Sequence, residues 1–372
     1  MPNAPPWSID WDAITCAFPW VAAMRGVVQD PVHHPEGDVW IHSRMVCEAL
    51  VSLPAWQRSA PAVRLRLFAA ALLHDVAKPH TTVVQEDGRV RSPGHSPRGA
   101  VMARGILWRL GWHAREREPV CALVQYHQVP YFVVDRVDAR AVVIRLSQSC
   151  SAAELAMLCE ADVRGRTALD TPRMLDNIAL FGELSDELGC LDRPYPFAND
   201  HARAMYFHRS DRDPDWAAWD DTRMTVTVMS GLPGAGKSSW VREHAGDQPL
   251  VALDRLREEL EVDPTEHQAK VIARARELAR EHLRAGRSFV WDATNLSRSL
   301  RRSVVTLCYD YGARVRIVHV EAPEPVLRAR NRARPEPVPD DVIDRLVQRW
   351  EQPQRTECHE LLWLPDDDVT AR

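Results

Sequence analysis

The first half of the chain carries a helical pattern of hydrophobic and polar positions. Apolar residues recur at intervals of three and four over residues 63–77 (VRLRLFAAALLHDVA), which contain no internal glycine or proline. This spacing is typical of a helix with one buried face. The same period indicates further helices at 38–52, 98–110, 117–126, 152–159 and 171–188. Residues 1–192 are therefore predicted to form an all-α domain.

The pattern changes after residue 222. Short apolar runs rich in β-branched residues (MTVTVMS, PLVALD, SFVWD and ARVRIVHVEA) are separated by charged stretches of helical period, such as residues 267–285. Strands that alternate with helices favour βαβ units around a parallel sheet. We therefore expect an α/β domain over residues 223–372. The intervening residues 193–222, rich in Pro, Asp and Trp, are expected to be a linker or an arm packed on one domain.

Composition narrows the class of protein. A length of 372 residues suits two domains, and 45% hydrophobic residues exclude a fully disordered chain. A net charge of −5 restricts any nucleic-acid site to a local patch. The eight cysteines are scattered singly, and neither a signal peptide nor a membrane-spanning apolar run is expected. Cytoplasmic residence, without a membrane partner, is the resulting expectation.

A phosphate-binding loop is predicted in the second half. Residues 231–238 (GLPGAGKS) match GxxxxGK[ST] between a predicted strand and a predicted helix, which is the context that this pattern requires. Backbone N–H groups of such a loop converge on phosphates. Lys237 would reach the β- and γ-phosphates of a nucleotide, and Ser238 would bind its Mg²⁺. The residues expected to hold the nucleotide are Gly231, Gly234, Ala235, Gly236, Lys237, Ser238, Ser239 and Asp292.

Charged residues follow the predicted strands of this half. Asp254 comes after PLVAL and Asp292 ends SFVWD, and a carboxylate beyond a parallel strand can orient an attacking hydroxyl group or a Mg²⁺ ligand. Arg257, one helical turn after Asp254, would grip an acceptor phosphate. An N-capping Asp254, a solvated Arg257 and a turn Asp292 are the structural alternatives. Four arginines in RARNRAR (328–334) would suit a basic lid or an exposed, solvated helix face.

These motifs resemble those of 5′-hydroxyl polynucleotide kinases. GLPGAGKSSW, LDRLR, DATN and RNRAR followed by VP occur in that family's order over about residues 224–353. The resemblance implies that Asp254 is the general base on the 5′-OH and that Arg257 holds the acceptor phosphate. It also implies that Lys237, Arg330 and Arg334 act on the donor phosphates of ATP.

Candidate metal ligands are spread through the first half. They are His42, His74, Asp75, His95, His127 and Asp162. Nitrogen and oxygen ligands without thiolate suit Mn, Fe, Co, Ni or Zn, and this set suffices for two metals if Asp75 bridges them. Such a pair would activate water and stabilise a leaving oxygen. A lone histidine is more often structural, but the His74-Asp75 pair ends an apolar helix, where buried charge needs partners.

The same residues resemble the HD phosphohydrolase superfamily. HHPEGDVWIH, HDVAKP, GHS followed by RGA, YHQVP and ADVRGR are most similar to the HD domain of bacterial tRNA nucleotidyltransferases, over roughly residues 30–170. The resemblance assigns one metal to His42, His74, Asp75 and Asp162, and the other to Asp75, His95 and His127. Lys78 would meet a phosphate or be a solvated helix end. Arg166 and His34 are weaker candidates of the same kind.

The two halves together resemble the bacterial HD-Pnk family. This resemblance implies an HD helical bundle followed by a P-loop kinase domain with a helical lid, in a bifunctional enzyme that heals RNA ends. It implies ATP and Mg²⁺ in the kinase site and two divalent transition metals in the HD site. RNA ends would be the substrate, with DNA ends left open. The resemblance also leaves open a separate RNA ligase as a partner and the assembly of the chain into a homodimer.

Two other functions stay open from the residues alone. A metabolic enzyme would join a nucleotide phosphohydrolase to a small-molecule kinase, and its activity would not depend on oligomer length. A regulatory module would bind RNA under the control of ATP, without turnover. The basic residues 298–302 and the lid arginines weigh against the first, and the complete ligand sets in both halves weigh against the second.

Overall fold

The chain divides into two compact units, Met1–Pro196 and Phe197–Arg372. The computed structural model describes residues 2, 7–168, 170–209, 211–263 and 268–364. The first unit is helical apart from one short hairpin, and the second is built on a parallel sheet. The predicted fold class, an all-α bundle followed by an α/β domain, is confirmed.

Helices form the core of the first unit. They are α1 (Trp11–Ala17), α2 (Val39–Ser52), α3 (Pro54–Arg58), α4 (Pro61–Leu73), α5 (Lys78–Thr81), α6 (His95–Arg109), α7 (Ala114–Tyr126), α8 (Ala139–Ser147), α9 (Ala152–Arg164) and α10 (Thr171–Glu187). Short 3-10 helices lie at Pro19–Met24, Val129–Tyr131 and Val133–Asp135. The helices α2, α4, α7 and α9 pack on one another, and their apolar faces are almost fully buried.

Helix α4 ends earlier than the hydrophobic period predicts. It stops at Leu73, and residues 74–77 continue as tight turns in which Val76 N–H donates to Leu73 O and Lys78 N–H to Asp75 O. The apolar period runs on because these turn residues are buried as well. The turn places two consecutive polar residues, His74 and Asp75, inside the bundle.

A hairpin was not predicted between α5 and α6. Its strands are β1 (Val83–Val84) and β2 (Val90–Arg91), which pair antiparallel. Each strand is only two residues long and is exposed or half-buried, so it lacks the alternating pattern that sequence reasoning uses.

The second unit is a five-stranded parallel sheet with helices. Its strands are β3 (Met224–Ser230), β4 (Leu250–Ala252), β5 (Phe289–Asp292), β6 (Ala313–Val320) and β7 (Glu360–Leu364), in the order β4-β5-β3-β6-β7. Its helices are α11 (Asp200–His208), α12 (Lys237–His244), α13 (Leu253–Glu259), α14 (Gln268–Arg284), α15 (Arg298–Asp310), α16 (Glu324–Arg332) and α17 (Asp340–Val347), with a 3-10 turn at Arg355–Glu357. The four predicted strands are present, and the edge strand β7 was missed because all its side chains are half-buried.

The expected linker, residues 193–222, contains helix α11, which belongs to the second unit. Arg203 of α11 anchors it, since its guanidinium donates hydrogen bonds to the backbone oxygens of Arg355, Cys358 and His359. His201 of the same helix lies 3.0 Å from His359, Nδ1 to Nε2.

Among the described residues, only one pair of helices combines the length and the apolar composition of a membrane span. No single helix is long and apolar enough to cross a bilayer, and the pair Ala139–Ser147 and Ala152–Arg164, bent by 107°, passes by length and composition when taken together.

Candidate active sites

The predicted metal ligands of the first unit meet in the helical bundle. His42 lies in the first turns of α2, His74 and Asp75 follow α4, His95 begins α6, His127 follows α7, and Asp162 lies in the last turn of α9. All of these side chains are buried. The bundle therefore gathers residues that are up to 120 positions apart in the sequence.

The ligand atoms form two groups, and Asp75, a member of the second, also lies close to the first. Those of His42, His74 and Asp162 lie within 4.8 Å of one another, as do those of Asp75, His95 and His127. Asp75 Oδ2 is 3.2 Å from His74 Nε2, whereas Asp75 Oδ1 is 3.5 Å from His95 Nε2 and 4.0 Å from His127 Nε2. One carboxylate thus faces both groups, as a bridging ligand would.

The first group has the spacing of ligands around one ion. His42 Nε2 is 3.3 Å from His74 Nε2 and 3.1 Å from Asp162 Oδ1. Two ligands at the usual ~2.1 Å from a metal lie about 2.9–3.4 Å apart at octahedral or tetrahedral angles. In addition, Asp75 Oδ1 is buried with no hydrogen-bond donor among the residues that the structure describes. The donor set therefore fits divalent transition metals.

Three histidines are oriented by backbone carbonyls. Nδ1 of His74 lies 2.7 Å from Ala71 O, Nδ1 of His95 lies 2.7 Å from Ser92 O, and Nδ1 of His127 lies 2.8 Å from Val124 O. A carbonyl can only accept, so each Nδ1 carries a proton and each ring directs Nε2 to the site.

The protonation states favour metal binding. Burial lowers the pKa of His127 to about 3 and also lowers that of His95. Burial opposes charge on Asp75, but Lys78 and the histidines outweigh it and hold the pKa of this carboxyl well below its usual range. The pKa of His74 is raised, because Asp75 and Asp162 outweigh the effect of burial, so a metal would displace a proton there.

Lys78 lies inside the site rather than at a solvated helix end. Its ammonium group is 2.7 Å from Asp75 Oδ2 and donates a 2.7 Å hydrogen bond to Gln29 Oε1, and the residue is only 7% exposed. The structure thus shows Lys78 on Asp75; contact with a phosphate remains a proposal.

Asp162 is held by two further side chains. Arg166 donates from Nε to Oδ1 (3.1 Å) and from Nη2 to Oδ2 (2.7 Å), and the hydroxyl of Tyr131 donates to Oδ2 (2.5 Å). The Arg166 guanidinium also lies over the Tyr131 ring. Arg166, a weaker candidate from sequence, therefore orients a metal-ligating carboxylate.

The phosphate-binding loop of the second unit runs from β3 to α12. Its glycines have positive φ angles of 145° at Gly231, 81° at Gly234 and 109° at Gly236. A Cβ atom would come within 2.3 Å of Val320 O at Gly231 and within 2.6 Å of Leu327 O at Gly234. Only glycine fits these two positions. Ala235 is buried, Ser239 is half-buried, and the Ser238 hydroxyl group lies in the exposed first turn of α12.

Lys237 folds back onto the loop. Its ammonium group donates to Gly231 O (2.9 Å) and Leu232 O (3.1 Å), and burial lowers its pKa. Asp292, at the end of β5, and Asp254 act on Lys237 in the opposite direction. Burial in turn raises the pKa of Asp292, an effect that Lys237 reduces. Both predicted carboxylates therefore share an electrostatic site with the loop lysine.

Asp254 and Arg257 lie on one face of α13. Arg257 Nη1 donates to Asp254 Oδ1, and Arg257 Nε donates to Gln268 Oε1 at 2.9 Å. The Gln268 amide is itself tied to Asp263 O at 2.9 Å. The side chain of Asp254 is 82% exposed, so a carboxylate beyond a parallel strand is open to an incoming acceptor.

The arginines of the predicted lid have different surroundings. A Cβ atom at Gly236 would be 3.9 Å from Arg330 Nη1, and the charge of Arg334 lowers the pKa of Lys237. Arg328 instead forms ion pairs with Glu324, Asp340 and Asp344, at 2.8–2.9 Å. Arg328 therefore joins α16 to α17. Arg330 therefore lies beside the phosphate-binding loop, and the charge of Arg334 acts on its lysine.

Comparisons with known proteins place a domain family on each unit. The HD domain family matches residues 39–162, and the AAA domain family matches residues 226–353. The multifunctional CCA protein of Acidovorax sp. (strain JS42) is 28% identical over 194 residues, or 50% of this chain and 38% of that protein. That of Burkholderia orbicola (strain MC0-3) is 32% identical over 168 residues, or 43% of this chain and 38% of that protein. The chain thus matches about two-fifths of the length of these relatives.

Among solved structures, a gluconokinase from Sinorhizobium meliloti 1021 aligns with 38% of this chain and 82% of its own, at 20% identity and a TM-score of 0.29.

The chain joins an HD domain to a P-loop kinase-like domain. The expected likeness to the HD domain of tRNA nucleotidyltransferases agrees with the CCA relatives. The finer assignment to the HD-Pnk family remains part of the proposal below.

Sequence reasoning missed the residues that support the ligands. Gln29 lies 49 positions before its partner Lys78, and Tyr131 lies 31 positions before Asp162. Glu36, in the loop before α2, approaches His34 and His42. It stands inside the HHPEGDVWIH motif, so the motif itself was the available signal.

Proposed function

We propose that this chain heals RNA ends with its two domains. The kinase-like domain transfers the γ-phosphate of ATP to a 5′-OH end, and the HD domain hydrolyses 2′,3′-cyclic, 2′- and 3′-phosphate ends. The observation that carries the proposal is the shared Asp75, which joins two ligand groups in one site, in a chain that also has a phosphate-binding loop beside an open carboxylate.

In the kinase-like domain, Asp254 accepts the proton of the attacking 5′-OH. The hydroxyl oxygen bonds to the γ-phosphorus, and the bond from that phosphorus to the β-γ bridging oxygen breaks, releasing ADP. Lys237 leaves the carbonyls of Gly231 and Leu232 to bind the donor phosphates, which replace those hydrogen bonds. Arg330 and Arg334 neutralise the charge on the transferring group, and Ser238 would hold the Mg²⁺ of ATP.

Arg257 favours an acceptor that carries a phosphate next to its hydroxyl. It lies beside Asp254, and Gln268 holds its Nε, so its remaining N–H groups have a fixed direction. A planar guanidinium in a fixed position suits a phosphodiester. A polynucleotide has that group next to its 5′ end, whereas a simple sugar or polyol does not.

In the HD domain, His42, His74 and Asp162 would hold one divalent metal, His95 and His127 the other, and Asp75 both. Metals bound there would activate water and stabilise the leaving 2′ or 3′ oxygen. The imidazoles, each with a proton on Nδ1, direct Nε2 to the site, and His74 would release its second proton on binding a metal. Lys78 and Arg166 place positive charge next to the ligand carboxylates, where a phosphate would approach.

The two activities complement each other chemically. Cleavage of RNA by attack of its own 2′-OH leaves a 2′,3′-cyclic phosphate on one fragment and a 5′-OH on the other. The proposed reactions convert these ends to a 2′,3′-diol and a 5′-phosphate. A ligase that needs those ends would be the partner that seals the strand.

The test is one incubation of the full chain with a short RNA that has a 5′-OH and a 2′,3′-cyclic phosphate. The reaction contains γ-labelled ATP, Mg²⁺ and Mn²⁺, and both ends are followed by electrophoresis and phosphate release. We expect label at the 5′ end and loss of phosphate from the other end. A nucleoside and a small polyol, at the same concentration of hydroxyl groups, serve as the competing acceptors.

Three other outcomes contradict the proposal. Faster phosphorylation of the polyol or nucleoside than of RNA would favour the metabolic alternative. ATP binding without change at either end would favour the regulatory alternative. Label at the 5′ end without loss of the cyclic phosphate, in Mn²⁺, Co²⁺ and Ni²⁺ alike, would remove the HD half of the proposal.

A further inference from the structure

The four histidines of the HD site differ in what orients them. His74, His95 and His127 each direct Nδ1 to the backbone oxygen three residues earlier. His42 does not. Its Nδ1 lies 2.9 Å from Oε1 of Glu36. This contact has the length of a hydrogen bond without its alignment, and Nδ1 of His42 has no other acceptor among the described residues.

Helix position explains the difference for His74 and His127, and the acceptor of His95 lies in the loop before α6. The last four carbonyls of a helix have no partner within it. His74 directly follows α4 and His127 directly follows α7, so the oxygens of Ala71 and Val124 are free to accept. His42 lies in the first turns of α2, where the backbone oxygen three residues earlier is used by the helix itself. An acceptor for His42 must therefore come from outside the helix.

Glu36 is the acidic residue of the loop before α2 that reaches His42. Its side chain is 1% exposed, and Oε1 also accepts a 2.9 Å hydrogen bond from Nδ1 of His34. Gly37, between Glu36 and the N-cap Asp38, has a φ of 131°, a backbone conformation that favours glycine. Burial of a carboxylate is costly unless it has partners. The imidazoles of His34 and His42 lie on Oε1, and the backbone N–H of Thr167 donates to Oε2 at 3.5 Å.

We infer that Glu36 is a positioning residue that fixes the proton of His42 on Nδ1, so that Nε2 is presented to the first metal. The inference rests on the proposed role of His42 as a metal ligand. A carboxylate behind a ligating imidazole orients the ring and makes it a stronger donor than a carbonyl does. The metal held by His42, His74 and Asp162 should therefore depend on Glu36, and the one held by Asp75, His95 and His127 should not.

The test is equilibrium dialysis of the metal-free full chain against Co²⁺, with the bound metal counted and its visible absorption spectrum recorded. We expect two Co²⁺ per wild-type chain. Glu36→Gln keeps the shape and an acceptor oxygen but removes the charge, and Glu36→Ala removes both. We expect the affinity of one of the two ions to fall about 10- to 100-fold, more in the alanine variant, with a change in the spectrum of that ion alone.

The matched control is Asp38→Ala. Asp38 is the N-cap of α2, and its carboxylate accepts from Ile41 N (2.8 Å) and Gly26 N (2.7 Å). This variant loosens the same helix end without touching His42, so it should lower thermal stability and leave two Co²⁺ at close to wild-type affinity. Far-UV circular dichroism of each variant at the dialysis temperature reports that the helical domain is folded, because kinase activity depends on the other unit.

Each remaining outcome is decisive. Unchanged Co²⁺ binding by both Glu36 variants would overturn the inference, as would equal losses in Asp38→Ala. Three Co²⁺ per wild-type chain, one of them lost with Glu36, would make Glu36 a ligand of a third metal with His34 and His42. Fewer than two in the wild type would overturn the metal role as well. Two Co²⁺ with Glu36 dependence but no phosphohydrolysis would leave the inference standing and remove the proposed reaction.

Discussion

Lys78 holds its ammonium group 2.7 Å from Oδ2 of Asp75 inside the helical bundle. The two residues are one turn apart, and both are at least 93% buried. The pair explains how a carboxylate that faces two groups of histidines stays ionised, because Lys78 helps to hold its pKa well below the usual range. It also links the stability of the metal-free bundle to a single cation.

Replacement of Lys78 should lower the stability of the bundle, and metal binding should restore part of that stability. Lys78→Met leaves Asp75 buried without its ammonium partner, and removing one member of a buried ion pair costs about 3–5 kcal/mol. Metal ions that bind only the folded state would offset part of this loss. Thermal unfolding in chelator and in Mn²⁺ measures both effects. We expect a larger metal-dependent rise in Tm for Lys78→Met than for the wild type or for the exposed control Lys270→Met. Equal losses in both conditions would contradict this account.

Asp75→Ala should separate the two activities of the chain. The change removes the carboxylate that both ligand groups share, so phosphohydrolysis should fall at least ~10³-fold, to the background of the assay. The kinase reaction should stay within about twofold of the wild type. Parallel assays of both ends of one RNA measure this. Asp87→Ala, which changes an exposed hairpin residue, is the control. A variant that loses both activities would mean that the two sites are not independent.

Asp254→Ala should have the opposite effect. Asp254 is the carboxylate open to the acceptor, and loss of a general base lowers rates about 10²–10⁴-fold. We expect that loss in kcat of the kinase, with little change in the KM for ATP and unaltered phosphohydrolysis. The matched control is Asp247→Ala, an exposed aspartate that precedes β4 instead of following it. If Asp254→Ala phosphorylates 5′-OH ends at the wild-type rate, Asp254 is not the base.

The sequence could predict the ligands but not what holds them. His74-Asp75 and GAGKS are local patterns, and each carries its chemistry within a few residues. Support for these groups comes from far along the chain, as with Gln29 on Lys78. The family resemblance singled out Arg330 and Arg334 among the four lid arginines, and the approach of α17 shows that Arg328 is structural. Strand β7 was missed because an edge strand with half-buried side chains has no alternating pattern.

The kinase-like domain should lose stability in acid through His359. Burial, together with the charges of His201 and Arg314 and against the opposing charge of Asp220, lowers the pKa of His359 to about 3. Histidine in the unfolded chain has a pKa of about 6.5. Below that pH, His359 is protonated in the unfolded chain but stays neutral in the folded domain. Above about pH 6.5 His359 therefore costs the domain no stability. As pH falls from there towards 3, protonation of the unfolded chain lowers the free energy of unfolding.

This acid sensitivity can be measured by thermal inactivation. Samples are heated at pH 4.5 or 7, and residual kinase activity is assayed at neutral pH. His359 Nδ1 accepts a hydrogen bond from Val315 N at 3.0 Å, and His359→Gln keeps an acceptor there without a titrating group. We expect the variant to lose less of its half-inactivation temperature on acidification than the wild type. The exposed His244→Gln should behave like the wild type, and equal pH dependence in all three chains would exclude His359 as the cause.

Close packing of α9 on α2 should control the first metal group. Gly165 ends α9, and a Cβ atom there would lie 2.7 Å from Val46 N and 2.8 Å from Val46 Cα. Those atoms belong to the backbone of α2 and cannot swing aside, so Gly165→Ala must push the helices apart. Asp162 is three residues before this glycine, and His42 is four residues before Val46. The displacement should therefore widen the 3.1 Å gap between His42 Nε2 and Asp162 Oδ1.

We expect Gly165→Ala to cost about 1–3 kcal/mol in the free energy of unfolding and to weaken the metal held by His42 and Asp162. The metal held by His95 and His127 should remain, because the clash lies between α9 and α2 and does not involve α6 or α7. Gly182→Ala is the matched control, since a Cβ atom at that position of α10 meets nothing within 4 Å. It should be neutral or stabilising by up to about 1 kcal/mol. Chemical denaturation and Co²⁺ counting on the same samples test both statements, and full retention of two tightly bound ions by Gly165→Ala would contradict them.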